Sequence, residues 1–318
     1  YPTPREQNKL GKAWFDDLKI RIDDGEDILK GAGAFELKPD GSNFGTIDTT
    51  RWEEALVRVF ENTSLSTFRL QVPGTGHIWD TQWFQSPTLG GFKHNTPEHR
   101  ALLEHWRAAV MPVLKRHQLD TRCYLYYLDE PDKPIYPDIM ESCNYIHSVF
   151  PEAPIMVTEP AEGGLFGGPN IWVPRLDEVW ADRPLYKSRI AAGDEFWTYL
   201  CVTPWAPSPT VFLDAPATAF RSWIWQSWVL GSPGILYWET TFWNSAARAY
   251  PDSKNLQNPW VDPQFWLDSG FLKSGDKFPF RNGDGTWIYP PRTASGYPAK
   301  EPLLLPPVPS LRLESLRD

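Results

Sequence analysis

Short apolar runs recur along this chain, each separated from the next by a segment of helical periodicity, and few folds accommodate that rhythm. In order they are "STFRLQV" (66–72), "TRCYLYYL" (121–128), "PIMVTE" (154–159), "IWVP" (171–174), "FWTYLCVT" (196–203) and "GILYWE" (234–239). Several are apolar at almost every position, as strands covered on both faces are. Helical spacing marks 4–19, 48–62, 96–117, 137–150 and 217–231. Asp48 and Thr96 stand as N-caps, Pro97 takes the first helical position of its segment, and Gly231 closes the last one. Strands alternating with helices predict an α/β protein with parallel strands joined by crossovers, a (β/α)8 TIM-like barrel over a single domain, 1–318. A weaker strand around Ala34 to Leu37 joins the six strong ones. A first strand is expected to precede Tyr1, and the closing "PSLRLESLRD" reads as the start of a cut helix, so the barrel is expected to be incomplete at both ends.

A chain of 318 residues buries a full core. Its net charge of −9 and pI near 5.2 argue against a nucleic-acid partner, which needs clustered Lys and Arg. The 17 Trp are more telling, because flat indole faces are what sugar rings pack against. Cys123, Cys143 and Cys201 are odd in number and widely spaced, and the His residues form no HExxH, so neither a disulfide framework nor a metal site is expected. His99 and His105 fall on different faces of one helical run and read as solvated positions. No apolar run is long enough to span a membrane. The start at Tyr1, without Met or an apolar leader, reads as a trimmed or mature product.

The stretch "YLYYLDEP" leads an aromatic strand into two adjacent carboxylates, Asp129 and Glu130, stopped by Pro131. Catalytic groups of barrels sit at the carboxyl ends of strands. "DEP" alone also describes a solvated turn. The aromatic strand before it supplies the low-dielectric wall that turns one carboxyl of a pair into a general acid. Consecutive strand residues point apart, so both carboxylates face one site only where the strand unwinds, and Pro131 is expected to hold Glu130 extended. Two-carboxylate glycosidases need a second acid across the bond, yet "FWTYLCVTP" carries none at its carboxyl end, and Asp194 and Glu195 precede it. That points to a nucleophile within the substrate, the carbonyl oxygen of a 2-acetamido group, with Asp129 orienting it and Glu130 protonating the leaving oxygen.

"YYLDEP", "FRSWIWQSWVLGSPGILYWETTFW" and "GDGTWIYPP…PVPSLRLESLRD" resemble glycoside hydrolase family 123 and the wider domain-of-unknown-function family numbered 4091, over about Pro4 to Asp318. The resemblance implies a (β/α) barrel, β-N-acetylgalactosaminidase activity by the retaining, substrate-assisted route, and Asp129 and Glu130 as the working pair. It implies a glycan or glycoconjugate substrate, no cofactor, and an extracellular or periplasmic setting. On that resemblance, the family's N-terminal sandwich and first strand are expected to lie outside residues 1–318.

Substrate-binding candidates surround that pair. Tyr127 belongs to the aromatic strand. Trp197 and Tyr199 share one face of theirs, Tyr199 suited to bond an acetamido oxygen. Trp238, Glu239 and Trp243 lie at or past the end of the last strand, and His77 lies in a Gly-rich loop ahead of Trp79 and Trp83. Glu239 and Glu159 are also the nucleophiles of a conventional two-carboxylate reading with Glu130 as acid. A silent carbohydrate-binding barrel is the third. Trp223, Trp225 and Trp228 are expected to pack in the outer helical ring, and "GDGTW" (283–287) reads as a hairpin turn.

Overall fold

The computed structural model of the chain describes residues 36–38, 45–70, 94–242, 260, 282–290 and 308–317. They fall into two compact units. The first takes the described residues up to 174 together with 184–196, and the second takes 175–183 and those from 197 onward.

In the first unit β1 (Glu36–Lys38) and β2 (Thr46–Asp48) pair antiparallel, Leu37 opposite Ile47. The weak strand of the sequence is therefore half of a small antiparallel pair and not part of the main sheet. Next come α1 (Thr50–Asn62), β3 (Phe68–Arg69), α2 (Pro97–Arg116), β4 (Cys123–Asp129) and α3 (Tyr136–Val149). Then follow β5 (Ile155–Thr158), β6 (Ile171–Trp172), α4 (Leu176–Ala181) of the other unit, α5 (Arg183–Ala191) and β7 (Glu195–Phe196). Strands β3, β4, β5, β6 and β7 make one parallel sheet in sequence order. An order without reversal is that of a barrel wall and lacks the switch point of a doubly wound sheet. Five parallel strands are what the described residues of this unit supply, so the structure shows a parallel α/β sheet with helices.

Local chemistry explains the elements. The Thr96 hydroxyl accepts the His99 amide at 3.3 Å, Pro97 opens α2, and Lys115 and Arg116 meet the negative end of its dipole. At α1 the cap position is Thr49, one past the expected Asp48, but Asp48 Oδ1 still takes the Thr50 amide at 3.0 Å. The buried stripe Leu103, Trp106, Val110 and Leu114 recurs at helical spacing, and Trp106 meets Phe150 at 5.3 Å between ring centroids. His99, expected to be solvated, is fully buried, its Nδ1 2.8 Å from the Tyr145 hydroxyl; burial lowers its pKa. His105 bonds the Gly45 carbonyl.

In the second unit β8 (Thr198–Tyr199) pairs parallel with β9 (Ile235–Leu236), with α6 (Ala217–Leu230) between them in sequence. β10 (Ile288–Tyr289) pairs antiparallel with β11 (Val308–Pro309), and α7 (Leu311–Arg317) follows. The run "FWTYLCVT" thus yields two short strands, β7 and β8, with Trp197 between them. Phe220 and Trp223 of α6 form a core with Leu200, Val211, Phe212 and Trp287. Packing of the helix tryptophans holds for Trp223 only: Trp225 and Trp228 are 61% and 77% exposed, because their spacing turns them away from that core. Gly231, at φ +82°, closes α6 as its position in the sequence requires. Among the described residues no helix is long and apolar enough to cross a membrane, and no cluster of His, Cys, Asp or Glu gathers to hold a metal ion.

Candidate active site

Strands β4 and β5 start in regular register, Leu125 with Ile155 and Tyr126 with Met156, and then slip so that Leu128 meets Val157 and Asp129 meets Thr158. Tyr127 is the additional residue of a β-bulge, and a bulge re-aims the side chains beyond it. Regular alternation sends residues three apart to opposite faces. Here Tyr126 and Asp129 meet on one face, the Tyr126 hydroxyl donating to Asp129 Oδ1 at 2.8 Å. Tyr127 goes the other way, buried against α3, where Ser142 donates to its hydroxyl at 3.4 Å.

Thr158 completes the arrangement from β5. Its hydroxyl, 2% exposed as a residue, donates to Asp129 Oδ1 at 2.7 Å and accepts the Glu130 amide at 3.0 Å. Asp129 Oδ1 thus accepts two hydrogen bonds, while Oδ2 accepts none among the described residues. Burial, and then the Asp129 charge, hold the Tyr126 phenol far above its ordinary pKa, so it remains a donor at any physiological pH. Arg69 of β3 lies over the Tyr126 ring, 5.5 Å from its centroid.

Glu130 is exposed and has φ +43°. This corrects the extended conformation expected from Pro131. Proline excludes the right-handed region for the residue before it, but the Thr158 hydroxyl captures the Glu130 amide and turns the chain left-handed. A glutamate there is uncommon and costs on the order of 1–3 kcal/mol, the kind of local strain that clusters at functional sites. One residue past Thr158, Glu159 accepts the Tyr136 hydroxyl at 2.9 Å, and Lys133 pairs with Glu162 at 2.9 Å. The carboxyl edge of β4 and β5 therefore gathers Asp129, Glu130 and Glu159 in one unit.

In the second unit the strand alternation resolves which face Trp197 and Tyr199 occupy. Thr198 Oγ1 lies 2.6 Å from Ser227 Oγ and accepts the Trp223 indole N–H at 2.9 Å, both from α6. Trp197 and Tyr199 therefore share the face away from α6, each more than nine-tenths buried. Gly234 lets β9 approach that indole: a Cβ there would lie 2.5 Å from Trp197 Cδ2. Gly234→Ala is expected to cost roughly 1–3 kcal/mol by overpacking, measured by urea denaturation. Glu239 Oε1 accepts the Thr240 amide, the Thr241 amide and the Thr241 hydroxyl at 2.8, 2.8 and 2.9 Å, so this carboxylate is folded onto its own loop. Trp238 is 41% exposed and donates its indole N–H to Asp284 Oδ1 at 3.0 Å. His77, Trp79, Trp83 and Trp243 lie outside the described residues.

Sequence reasoning missed three groups. Tyr126 and Thr158 join Asp129 only through the bulge and the strand pairing, which no local pattern announces. Asp284, placed in a hairpin turn, is fully buried: Gly283 and Gly285 take φ +80° and +78° around it, and it accepts the Tyr237 hydroxyl at 2.7 Å. The buried Arg312 of α7 donates to the carbonyls of Val211, Gly283 and Thr286. Two glycines flanking an acid were the available signal, since glycine is the residue that takes φ > 0 without steric penalty.

Parallel strands in sequence order with carboxylates at their carboxyl edge define an α/β protein with an acidic site where such folds carry chemistry. This chain belongs to glycoside hydrolase family 123, whose catalytic-domain model matches residues 60–318. Among solved structures it is similar to a family 123 glycoside hydrolase from Clostridium perfringens, described for glycolipid glycan hydrolysis. Identity is 15%, the match covers 87% of this chain and 45% of that one, and the TM-score is 0.53. The likeness is one of fold, and this chain spans less than half the length of that protein. A glycerophosphodiester phosphodiesterase from Parabacteroides distasonis overlaps 61% of each chain at 15% identity, with a TM-score of 0.30. No curated protein matches the chain.

Proposed function

We propose that this chain hydrolyses terminal β-linked N-acetylgalactosamine from glycans or glycoconjugates, with retention, using the substrate's 2-acetamido oxygen as nucleophile. The carrying observation is the divided Asp129 carboxylate, with Oδ1 pinned by Tyr126 and Thr158 and Oδ2 left to a ligand, beside an exposed Glu130. In this reading Oδ2 takes the acetamido N–H, which aims the carbonyl oxygen at the anomeric carbon and balances the positive charge of the oxazolinium-like intermediate. Glu130 gives its proton to the departing glycosidic oxygen, then takes one from the water that opens the intermediate. Family membership supports the reaction class, and a glycoconjugate substrate favours work outside the cytoplasm.

A conventional hydrolase with Glu130 as acid and Glu159 as nucleophile is the second reading, favoured by Glu159 lying one residue past Thr158 on the neighbouring strand. Nitrophenol release from the β-N-acetylgalactosaminide, the β-N-acetylglucosaminide and the plain β-galactoside separates the two. The plain galactoside is expected to react at least ~10²-fold more slowly than the acetamido sugar, the scale of a lost positioned reacting group. Equal rates would transfer the nucleophile's role to Glu159. Saturable sugar binding without release of nitrophenol would leave a binding protein.

A further inference from the structure

We propose that Thr158 is a positioning residue that sets both carboxylates with one hydroxyl. The inference rests on the reading of Asp129 and Glu130 as the working pair. A threonine hydroxyl has one proton to give and lone pairs to accept with. Here the proton goes to Asp129 Oδ1 at 2.7 Å, since the other acceptors in reach, the Leu128 carbonyl and the Tyr126 hydroxyl, each stand at 3.4 Å. The acceptor side takes the Glu130 amide at 3.0 Å. Tyr126 duplicates only the first of these bonds, and its own contact with Thr158 is a long 3.4 Å.

The two bonds act on different steps. The donated bond, with that of Tyr126, fixes which Asp129 oxygen faces the ligand. The accepted bond holds Glu130 at φ +43°, a conformation that a glutamate before a proline does not adopt unaided. Losing the Thr158 hydroxyl therefore misplaces the acid as well as the acetamido partner, whereas losing the Tyr126 hydroxyl disturbs Asp129 alone. Buried at 2% exposure, Thr158 need not touch the sugar to do this.

The test compares Thr158→Val, Thr158→Ser and Tyr126→Phe on aryl β-N-acetylgalactosaminides whose phenols differ in acidity. Thr158→Val is expected to lower kcat about 10²-fold with KM little changed, and to steepen the dependence on phenol acidity, because a misplaced acid matters most for poor leaving groups. Thr158→Ser restores the wild-type slope, and Tyr126→Phe lowers the rate without steepening it. An unchanged slope in Thr158→Val, or serine as impaired as valine, overturns the proposal. Should the valine variant not fold, Thr158→Cys, with a weak donor of similar bulk, is held to the same expectation. If the wild type cleaves no glycoside, the functional reading fails, and a crystal structure of Thr158→Val decides the positioning role. Glu130 leaving its left-handed φ upholds that role, and Glu130 and Asp129 both unmoved overturns it.

Discussion

Glu130→Gln is expected to lower kcat about 10²–10⁴-fold on substrates with a sugar leaving group, the range that a positioned general acid contributes. Glutamine matches glutamate in shape and still donates a hydrogen bond, but it cannot hand over a proton. The loss should shrink with nitrophenol, which departs as a stable anion without protonation, down to what the missing base costs in opening the intermediate. Asp129→Asn should behave differently. It removes the charge that balances the intermediate and leaves the amide nitrogen facing either the Tyr126 and Thr158 hydroxyls or the acetamido N–H, all of them donors. Its rate loss should therefore persist with nitrophenol. Steady-state rates of both variants on an activated and an unactivated glycoside check this. Equal losses for Glu130→Gln on both substrates would remove the acid role from Glu130.

The adjacency that makes this test possible is legible in the sequence, where "LDEP" ends an apolar run, and parallel-strand ends are where α/β proteins place chemistry. Strands β4, β5 and β6 lie where their apolar runs are, and Thr96, Pro97 and Gly231 mark the helix ends they were read to mark. What escaped was non-local. The bulge at Tyr127 depends on how β4 pairs with β5, so that nothing within "YLYYL" says which tyrosine will reach Asp129. Glu130 went wrong for the same reason: Pro131 limits its backbone, but the choice among what remains falls to a hydroxyl 28 residues away. His99 shows the converse, a polar side chain carried inward because Tyr145 of α3 offers it a partner. Trp225 and Trp228 were misjudged because a helix rich in tryptophan carries no sign of which side its neighbours cover.

Asp284→Ala is expected to destabilise the protein by about 3 kcal/mol near pH 4, chiefly by leaving the buried Tyr237 hydroxyl without its acceptor, and to cost almost nothing near pH 8. The groups around Asp284 set the sign. Tyr237 and Trp238 donate to its Oδ1, Arg312 bonds the carbonyl of the preceding Gly283, and Oδ2 is buried without a partner. Burial pushes the carboxyl up to about 6 from an ordinary 3.8, with those donors and the Arg312 charge pulling only partly back. A carboxyl raised in the folded state binds its proton more tightly there than in the unfolded chain. The stability it lends is complete below about 3.8 and is lost as pH climbs through about 6. That interval corresponds to roughly 3 kcal/mol, so ionisation of the wild-type residue offsets what its hydrogen bonds contribute. The difference between wild type and variant cancels the titration of every other group, and urea unfolding of the two at both pH values measures it. A difference independent of pH would show that Asp284 is already ionised at pH 4, with Arg312 compensating its charge in full. A difference that closes as pH rises would make this turn, 283–285, a place where the second unit is held together more firmly in acid than at neutrality.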